Sequence, residues 1–437
     1  MKRINNSVIA LALFIGVANA NAQQKKTLTL DEAVKLGIQN SKNLKIDAAK
    51  IEEATADLLE AKNRQLPELK VSGSYMYLPI KPTIDLKLPG VSAGGGPEVH
   101  QVLYGSANLS VPIYSGGRIK YGIQSAKYLV EASKLSTEND KVAIAYNVAQ
   151  AYNNLFKANQ SIKVLEENLV ASQKRDETFL KMENNGLIAR NDRLKANLQT
   201  SNIELQLLEA KNNYNIANIN MDLLLGLPEI IELEVDQNYI EEGNDVKSVD
   251  YYVNTARENR KDLQALDMQR KAAELGTKAA KAENLPSIAF TGGYVAADIP
   301  KFLTIYNAVN VGVGISYNLS NIWKKNSSLK QSQAREMQLA ATNELLNDNI
   351  KLDVNKEYQN TDYSKKRITV FEKSAEQANE NYRITKNKYD NGLATMTELL
   401  DADAAQIAAN VGVINAKADA ALAYRKLLQT TGTLTTK

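Results

Sequence analysis

The sequence predicts an internally duplicated α+β membrane protein, with four membrane-crossing β-strands joined to long coiled-coil helices. Three observations carry that prediction. The chain is written twice at constant offsets. Four segments of about ten residues alternate between apolar and polar side chains. Two proline-free stretches of more than sixty residues read as single helices.

The duplication sets the frame. Gln39-Asn40-Ser41-Lys42-Asn43-Leu44 is matched by Glu258-Asn259-Arg260-Lys261-Asp262-Leu263, Leu66-Pro67 by Leu285-Pro286, and Gly73-Ser74-Tyr75 by Gly292-Gly293-Tyr294, all at an offset of 219. Later landmarks keep an offset of 206: Tyr152 with Tyr358, Asn185-Gly186-Leu187 with Asn391-Gly392-Leu393, and Gly226 with Gly432. The 13-residue difference falls between Tyr75 and Leu109. There the first half alone carries Pro79, Pro82, Pro89 and Gly94-Gly95-Gly96-Pro97, a loop insertion.

Taken in order, the chain opens on Lys2-Arg3, an apolar run from Val8 to Ala18, and small residues ending at Ala22. This is the pattern of a cleavable secretory signal over residues 1–22, cut after Ala20 or Ala22. The apolar run is shorter than the ~20 residues a membrane-spanning helix needs. The first repeat, 23–226, starts with a helix from Asp31 to Gln65, capped by Thr29 or Asp31, followed by strands at 68–78 and 103–114. A helix from Ile119 to Glu183 comes next, ~98 Å long at the standard rise. A tip at 184–193 leads into a helix from Ile188 to Leu225. Residues 227–248 form a linker. The second repeat, 249–432, has a helix, strands at 287–296 and 308–319, a helix from Lys324 to Asp390, a tip at 389–398 and a helix from Thr395 to Thr430; a tail covers 433–437.

Apolar positions in the long helices are small and sparse, as in Val142, Ala145, Val148, Ala149, Tyr152 and Leu155. Such modest faces suit a ring of helices with neighbours on both sides; a two-stranded zipper needs a denser leucine seam.

The strands say more. In the fourth, Val309, Val311, Val313 and Ile315 form a candidate lipid-facing row against Asn310, Gly312, Gly314 and Ser316. One apolar and one polar face over about ten residues is the signature of an outer-membrane barrel strand. A half-buried sheet in a soluble domain alternates too, but the helices here carry too little apolar surface to cover one. Four strands cannot close a barrel, and lipid does not tolerate an open edge. Several chains must therefore share one barrel, with the polar faces lining a water-filled lumen.

Composition excludes other classes. Lys+Arg is 53 and Asp+Glu is 50, so the net charge is +3, and +1 without Lys2 and Arg3. That is no footprint for nucleic acid. There is no cysteine, hence no disulfide, thiolate metal site or cysteine nucleophile, and the single histidine, His100, is read as a surface-loop residue. No dinucleotide or phosphate-binding glycine loop is present. No catalytic residue, cofactor or metal is expected. The mean hydropathy of −0.35 excludes a polytopic helical membrane protein but not a barrel.

The chain resembles the TolC family of outer-membrane efflux proteins. The resemblance rests on Leu28-Thr29-Leu30-Asp31-Glu32-Ala33-Val34, Asn40 to Leu44, Leu66-Pro67-Glu68-Leu69 and its copy, Val111 to Arg118, the two Asn-Gly-Leu turns, and Glu398-Leu399-Leu400-Asp401-Ala402. It implies a homotrimer whose twelve strands close one barrel in the outer membrane of a Gram-negative bacterium. A periplasmic α-helical tunnel continues the barrel, encircled by an equatorial region drawn from Leu227 to Val249. It also implies a passive exit duct of a tripartite efflux or type I secretion system, working with a periplasmic adaptor and an inner-membrane transporter. The alternative is a non-pore secreted or periplasmic coiled-coil protein, structural or adaptor. A structural stalk predicts sustained apolar heptads and no duplicated strand pairs; an adaptor predicts a single central hairpin flanked by a split β-domain, where this chain has two hairpin halves.

The resemblance also singles out residues at the hairpin tips. Glu398 and Asp401 lie three apart at a helix start, on one face. In a trimer they would form two acidic rings at the pore constriction, favouring cations; the same carboxylates also complement the helix N-terminus. Tyr389 and Asp192 match positions of a gate latch. Ala394 stands where some family members place a latch arginine, so Arg190 or Arg193 on the opposing hairpin would have to replace it, and both also read as solvated tip charges. Asn185-Gly186-Leu187 and Asn391-Gly392-Leu393 resemble adaptor-docking turns and are helix-capping signals as well. Tyr114 and Trp323 suit an aromatic interface girdle, and Lys324-Lys325 and Lys365-Lys366-Arg367 solvated helix faces.

Overall fold

The computed structural model describes residues 25–80, 82, 99–240, 246–300, 302–322 and 326–434. The signal segment, Pro89 and Gly94-Gly95-Gly96-Pro97 of the insertion, the stretch 241–245, and Trp323 to Lys325 lie outside the described residues. The first half forms β1 (Lys25–Leu28), α1 (Leu30–Asn40), α2 (Lys42–Asn63), β2 (Glu68–Tyr77), β3 (Gln101–Tyr114), α3 (Arg118–Asn184) and α4 (Arg190–Leu225). The second forms β4 (Glu232–Val235), α5 (Val249–Asn259), α6 (Lys261–Ala282), β5 (Ser287–Ile299), β6 (Leu303–Ser316), α7 (Ser327–Asp390) and α8 (Met396–Thr430).

The first helix expected from the sequence is two helices. Thr29 opens α1 with a capping box, its hydroxyl accepting from Glu32 N at 3.3 Å while the Glu32 carboxylate accepts from Thr29 N at 3.0 Å. At Ser41 the backbone turns out of helix (ψ 122°). Its hydroxyl then accepts from Leu44 N at 3.3 Å, restarting the chain as α2. Asn40 holds the break by donating to Leu225 O at 2.6 Å. The repeat breaks at the matching place, Arg260, which donates to Thr430 O. The motif that reveals the duplication is thus also a corner.

The chain divides into two compact units, with boundaries within α2, α3 and α7 and between α5 and α6. One unit comprises Met1–Lys45, Glu138–Arg260 and Asp348–Lys437. Its core packs Leu28, Val148, Tyr152, Leu155, Phe156, Met221, Leu225 and Leu233 together. β1 and β4 pair in parallel, Lys25 opposite Glu232 and Leu28 opposite Val235. Tyr152 ties them to α3: its hydroxyl donates to Leu28 O and accepts from Asp236 N, both at 2.8 Å. Gly226 closes α4 at φ +67°, and a Cβ there would lie 2.8 Å from Asn40 Cβ.

Asp222 is fully buried in the last turn of α4. One carboxylate oxygen accepts from Asn218 at 2.9 Å; the other has no partner among the described residues. Burial, with Glu229 adding to it, pushes the carboxyl up to about 6 from an ordinary 3.8, and a helix C-terminus also disfavours a negative charge. Because the folded value exceeds the unfolded one, the folded chain holds the proton between about pH 4 and 6. This group's contribution to stability therefore falls as pH rises through that window, by about 3 kcal/mol in all. Urea midpoints across pH 4–7 are expected to show this slope in the parent and to lose it in Asp222→Asn; an unchanged slope would reject the assignment.

The other unit, Ile46–Thr137 with Lys261–Asn347, holds an antiparallel sheet in the order β2-β3-β5-β6. The register aligns the alternation across all four strands. One face carries the rows Val71–Ala107–Tyr294–Val309, Leu69–Leu109–Gly292–Val311 and, from β3, Val111–Phe290–Val313. The other carries Glu68–Ser110–Thr291–Gly312 and Lys70–Asn108–Gly293–Asn310. Ser72 and Ser106 hydroxyls meet there at 2.9 Å. Gly293 is required by that polar face, since a Cβ would lie 2.6 Å from Asn310 Oδ1 and 3.3 Å from Asn108 Oδ1. β6 begins at Leu303, before the alternation readable at 308, because the pairing continues past a bulge at Val295/Ala297. Asn307 has φ +57° there. Among the described residues, β2 and β6 each have one unpaired edge.

Candidate functional site

Two surfaces follow from this construction: the apolar face of the sheet, and the paired turns of the helical hairpins α3–α4 and α7–α8. On the sheet, Val309, Val311, Val313 and Ile315 are 71%, 76%, 63% and 73% exposed. Among the described residues, no segment covers them. An unbroken apolar row of this size is a surface for lipid or a partner. Among the described residues, no helix is long and apolar enough to cross a membrane.

The turns are built alike. Gly186 and Gly392 sit at φ +71° and +70°. Gly186 N donates to Glu183 O at 2.9 Å and Leu187 N to Met182 O at 2.8 Å; in the copy Gly392 N donates to Tyr389 O at 2.9 Å and Leu393 N to Lys388 O at 2.7 Å. This pair of hydrogen bonds closes a helix on a left-handed glycine. Asn185 and Asn391 each donate a side-chain amide N–H to the carbonyl four residues back, at 2.8 Å. Leu187 and Leu393, 70% and 77% exposed, protrude beyond the caps.

The helices that leave the turns start differently. Thr395 caps α8, and Glu398 Oε2 accepts from Thr395 N at 2.6 Å and from its hydroxyl at 2.9 Å. Those bonds hold the Glu398 carboxyl below the usual range. Asp401 is exposed one turn on. The equivalent of Thr395 in α4 is Ala189, which gives no side-chain cap. Asp192 there lies 3.6 Å from Lys195 Nζ. Arg190 is exposed at the first position of α4. Arg193 Nε stands 2.5 Å from Glu183 Oε2, an ion pair within its own hairpin whose N–H is not aligned for a hydrogen bond. Tyr389 packs edge-on against Phe179, ring centroids 5.9 Å apart. Burial raises its phenol, and the nearby Asp192 adds to the shift. Among the described residues, the two share no hydrogen bond.

The sequence reading misses the more deeply buried ion pair near these turns. Arg175 of α3 meets Asp403 of α8 at 2.6 Å, with both side chains almost wholly buried. A signal was available: Asp403 interrupts the buried series Met396, Leu399, Asp403, Ile407, where a charge needs a partner.

The sequence pattern of the outer membrane efflux protein family matches residues 33–227 and 252–433. The chain belongs to this family. Family members are outer-membrane channels, which agrees with a site made of surfaces and turns. Solved structures agree in fold. A membrane protein from Pseudomonas aeruginosa is 18% identical, over 92% of this chain and 90% of that one, with a TM-score of 0.79. The outer membrane protein VceC from Vibrio cholerae is 17% identical over 92% and 96%, with a TM-score of 0.76. The outer membrane channel CmeC of Campylobacter jejuni is 18% identical over 93% and 86%, at 0.74. Identities this low establish the TolC-like fold alone. No curated protein matches the chain.

Proposed function

We propose that three copies of this chain form an outer-membrane exit duct. It conducts drugs, toxic compounds or exported proteins passively out of an inner-membrane transporter and periplasmic adaptor complex. The observation that carries this reading is the four-stranded sheet with one exposed apolar face and two unpaired edges. Pairing β2 of one copy with β6 of the next closes a ring, and three copies give the twelve strands that the family resemblance implies. The polar face, with Asn108, Gly293 and Asn310, then lines the lumen, and Val309, Val311, Val313 and Ile315 meet lipid.

The helices support a ring of copies independently. On α4, Leu194, Leu198, Leu205, Leu208, Ile216, Ile219 and Leu223 are all exposed, and at 100° per residue they fall on one stripe. On α7, Leu345, Leu352, Tyr363, Val370 and Ile384 form a second exposed stripe. Two different stripes on one chain suit a head-to-tail contact that repeats around an axis.

In this assembly Glu398 and Asp401 form the acidic rings of the constriction. Tyr389, Asp192 and Arg190 stand at the latch, and the turns with Leu187 and Leu393 receive the adaptor. Detergent-extracted protein from the outer-membrane fraction is expected to run as a trimer and to conduct in a planar bilayer. A monomer without conductance would overturn the reading. Glu398→Gln with Asp401→Asn, which keeps the Thr395 cap acceptor, is expected to lower cation selectivity several-fold. Unchanged reversal potentials would remove these residues from the constriction.

A further inference from the structure

We infer that the junction of β3 and α3 is a binding site for the headgroup of an anionic phospholipid. The inference rests on the duct reading, in which the apolar face of the sheet meets lipid and the helices begin at the periplasmic rim of the barrel.

The site is a groove of about 530 Å³ where β3 passes into α3. Part of its lining is apolar. Ile113 is exposed and continues the alternation of Leu109 and Val111, and Ile119 and Ile123 follow on the first turns of α3. The rest is cationic or carries hydroxyls. Lys120 and Lys127 are exposed and lie seven residues apart, so they share one face of α3, about 10 Å apart along its axis. Tyr114 and Ser115 add the hydroxyls. Gln124 and Lys127 also line a second groove of about 480 Å³ between α3 and α6, which Lys271 and Lys278 border.

The acids of that second groove have cations of their own. Glu131 meets Lys134 at 2.9 Å, Glu274 stands 4.0 Å from Arg270, and Lys271 is held by Asp267 at 2.7 Å. Lys120, Lys127 and Lys278 make no ion pair among the described residues. Free ammonium groups beside an apolar strand suit a ligand with both chemistries: a phosphodiester against the lysines and acyl chains on the sheet. Basic clusters at a membrane surface attract anionic lipid, and lysine stems lie along apolar surface while their ammonium reaches the headgroups.

Two further observations put the groove on the lipid side and leave it open. Glu68 and Ser110 of the polar face border a different cavity, together with Arg118 and Gly122. At 100° per residue those two lie on the opposite side of α3 from Lys120 and Lys127. In the sheet order β2-β3-β5-β6, the strands beside the groove are the inner ones. Copies joined through β2 and β6 therefore meet away from it.

Phospholipid-depleted trimer, mixed with phosphatidylglycerol or with phosphatidylcholine of the same acyl chains, tests the site by native mass spectrometry. The parent is expected to retain phosphatidylglycerol several-fold better than phosphatidylcholine. K120Q/K127Q is expected to bring the first down to the level of the second, whereas K163Q/K174Q, farther along α3, keeps the parental preference. Equal retention of the two lipids by the parent would overturn the inference, and so would parental retention of phosphatidylglycerol in K120Q/K127Q. A chain recovered only as a monomer that binds neither lipid would instead overturn the duct reading, and the inference with it.

Discussion

Arginine at Val311 is expected to abolish assembly in the outer membrane. Val311 lies in the middle of β6, in the row Leu69–Leu109–Gly292–Val311, on the face that none of the described residues covers. A cation on the lipid face of a barrel costs about 2–4 kcal/mol at mid-bilayer, and each copy in the assembly would bear that cost. β6 is also an edge strand, so the substituted residue would sit at the seam where the next copy must pair. Ser74→Arg places the same charge on the opposite face of β2 and is expected to assemble. Trimer in membrane fractions, resolved on native gels at matched expression, separates the two. Equal trimer from Val311→Arg and the parent would mean that this face does not meet lipid.

The second large effect is expected at Tyr152. Its ring is fully buried and stands 5.1 Å from that of Tyr239, which in turn lies 5.4 Å from Phe156. Its hydroxyl is shared between Leu28 O and Asp236 N. Burial pushes that hydroxyl up to about 12, so it stays a donor at any working pH. Tyr152→Ala is expected to cost about 3–5 kcal/mol through the cavity it leaves. Tyr152→Phe keeps the ring but strands a backbone donor and an acceptor, costing about 1–3 kcal/mol. Urea titrations followed by circular dichroism should order the variants parent, Phe, Ala. Equal midpoints for Phe and the parent would show that the hydroxyl contributes nothing to the anchoring of β1 and β4.

The four strands of the large sheet were legible because a period of two survives any register. Val309 to Ile315 and Leu69 to Tyr77 declare a face before their neighbours are known. The long helices were legible from missing proline, and the turns from Asn-Gly, because a left-handed cap has few residue choices. β1 and β4 were not legible: four residues each are too few to show a period, and they pair across more than two hundred positions. The corners at Ser41 and Arg260 were hidden for a similar reason, since Asn40 and Arg260 are held by carbonyls of Leu225 and Thr430.

At the hairpin ends the same division holds. Glu398 and Asp401 were visible as acids at a helix start, but only the coordinates place the Glu398 carboxylate on its own cap. Arg175 and Asp403 are ordinary charges in sequence, more than two hundred residues apart. By itself the sequence determined the duplication, the fold class, and the exclusion of thiol and glycine-loop chemistry, because these follow from local spacing and composition. The tertiary structure alone decided which alternating faces align into one apolar surface, and which charges are buried against each other. Register and burial depend on neighbours distant in the chain, and local patterning carries no record of them.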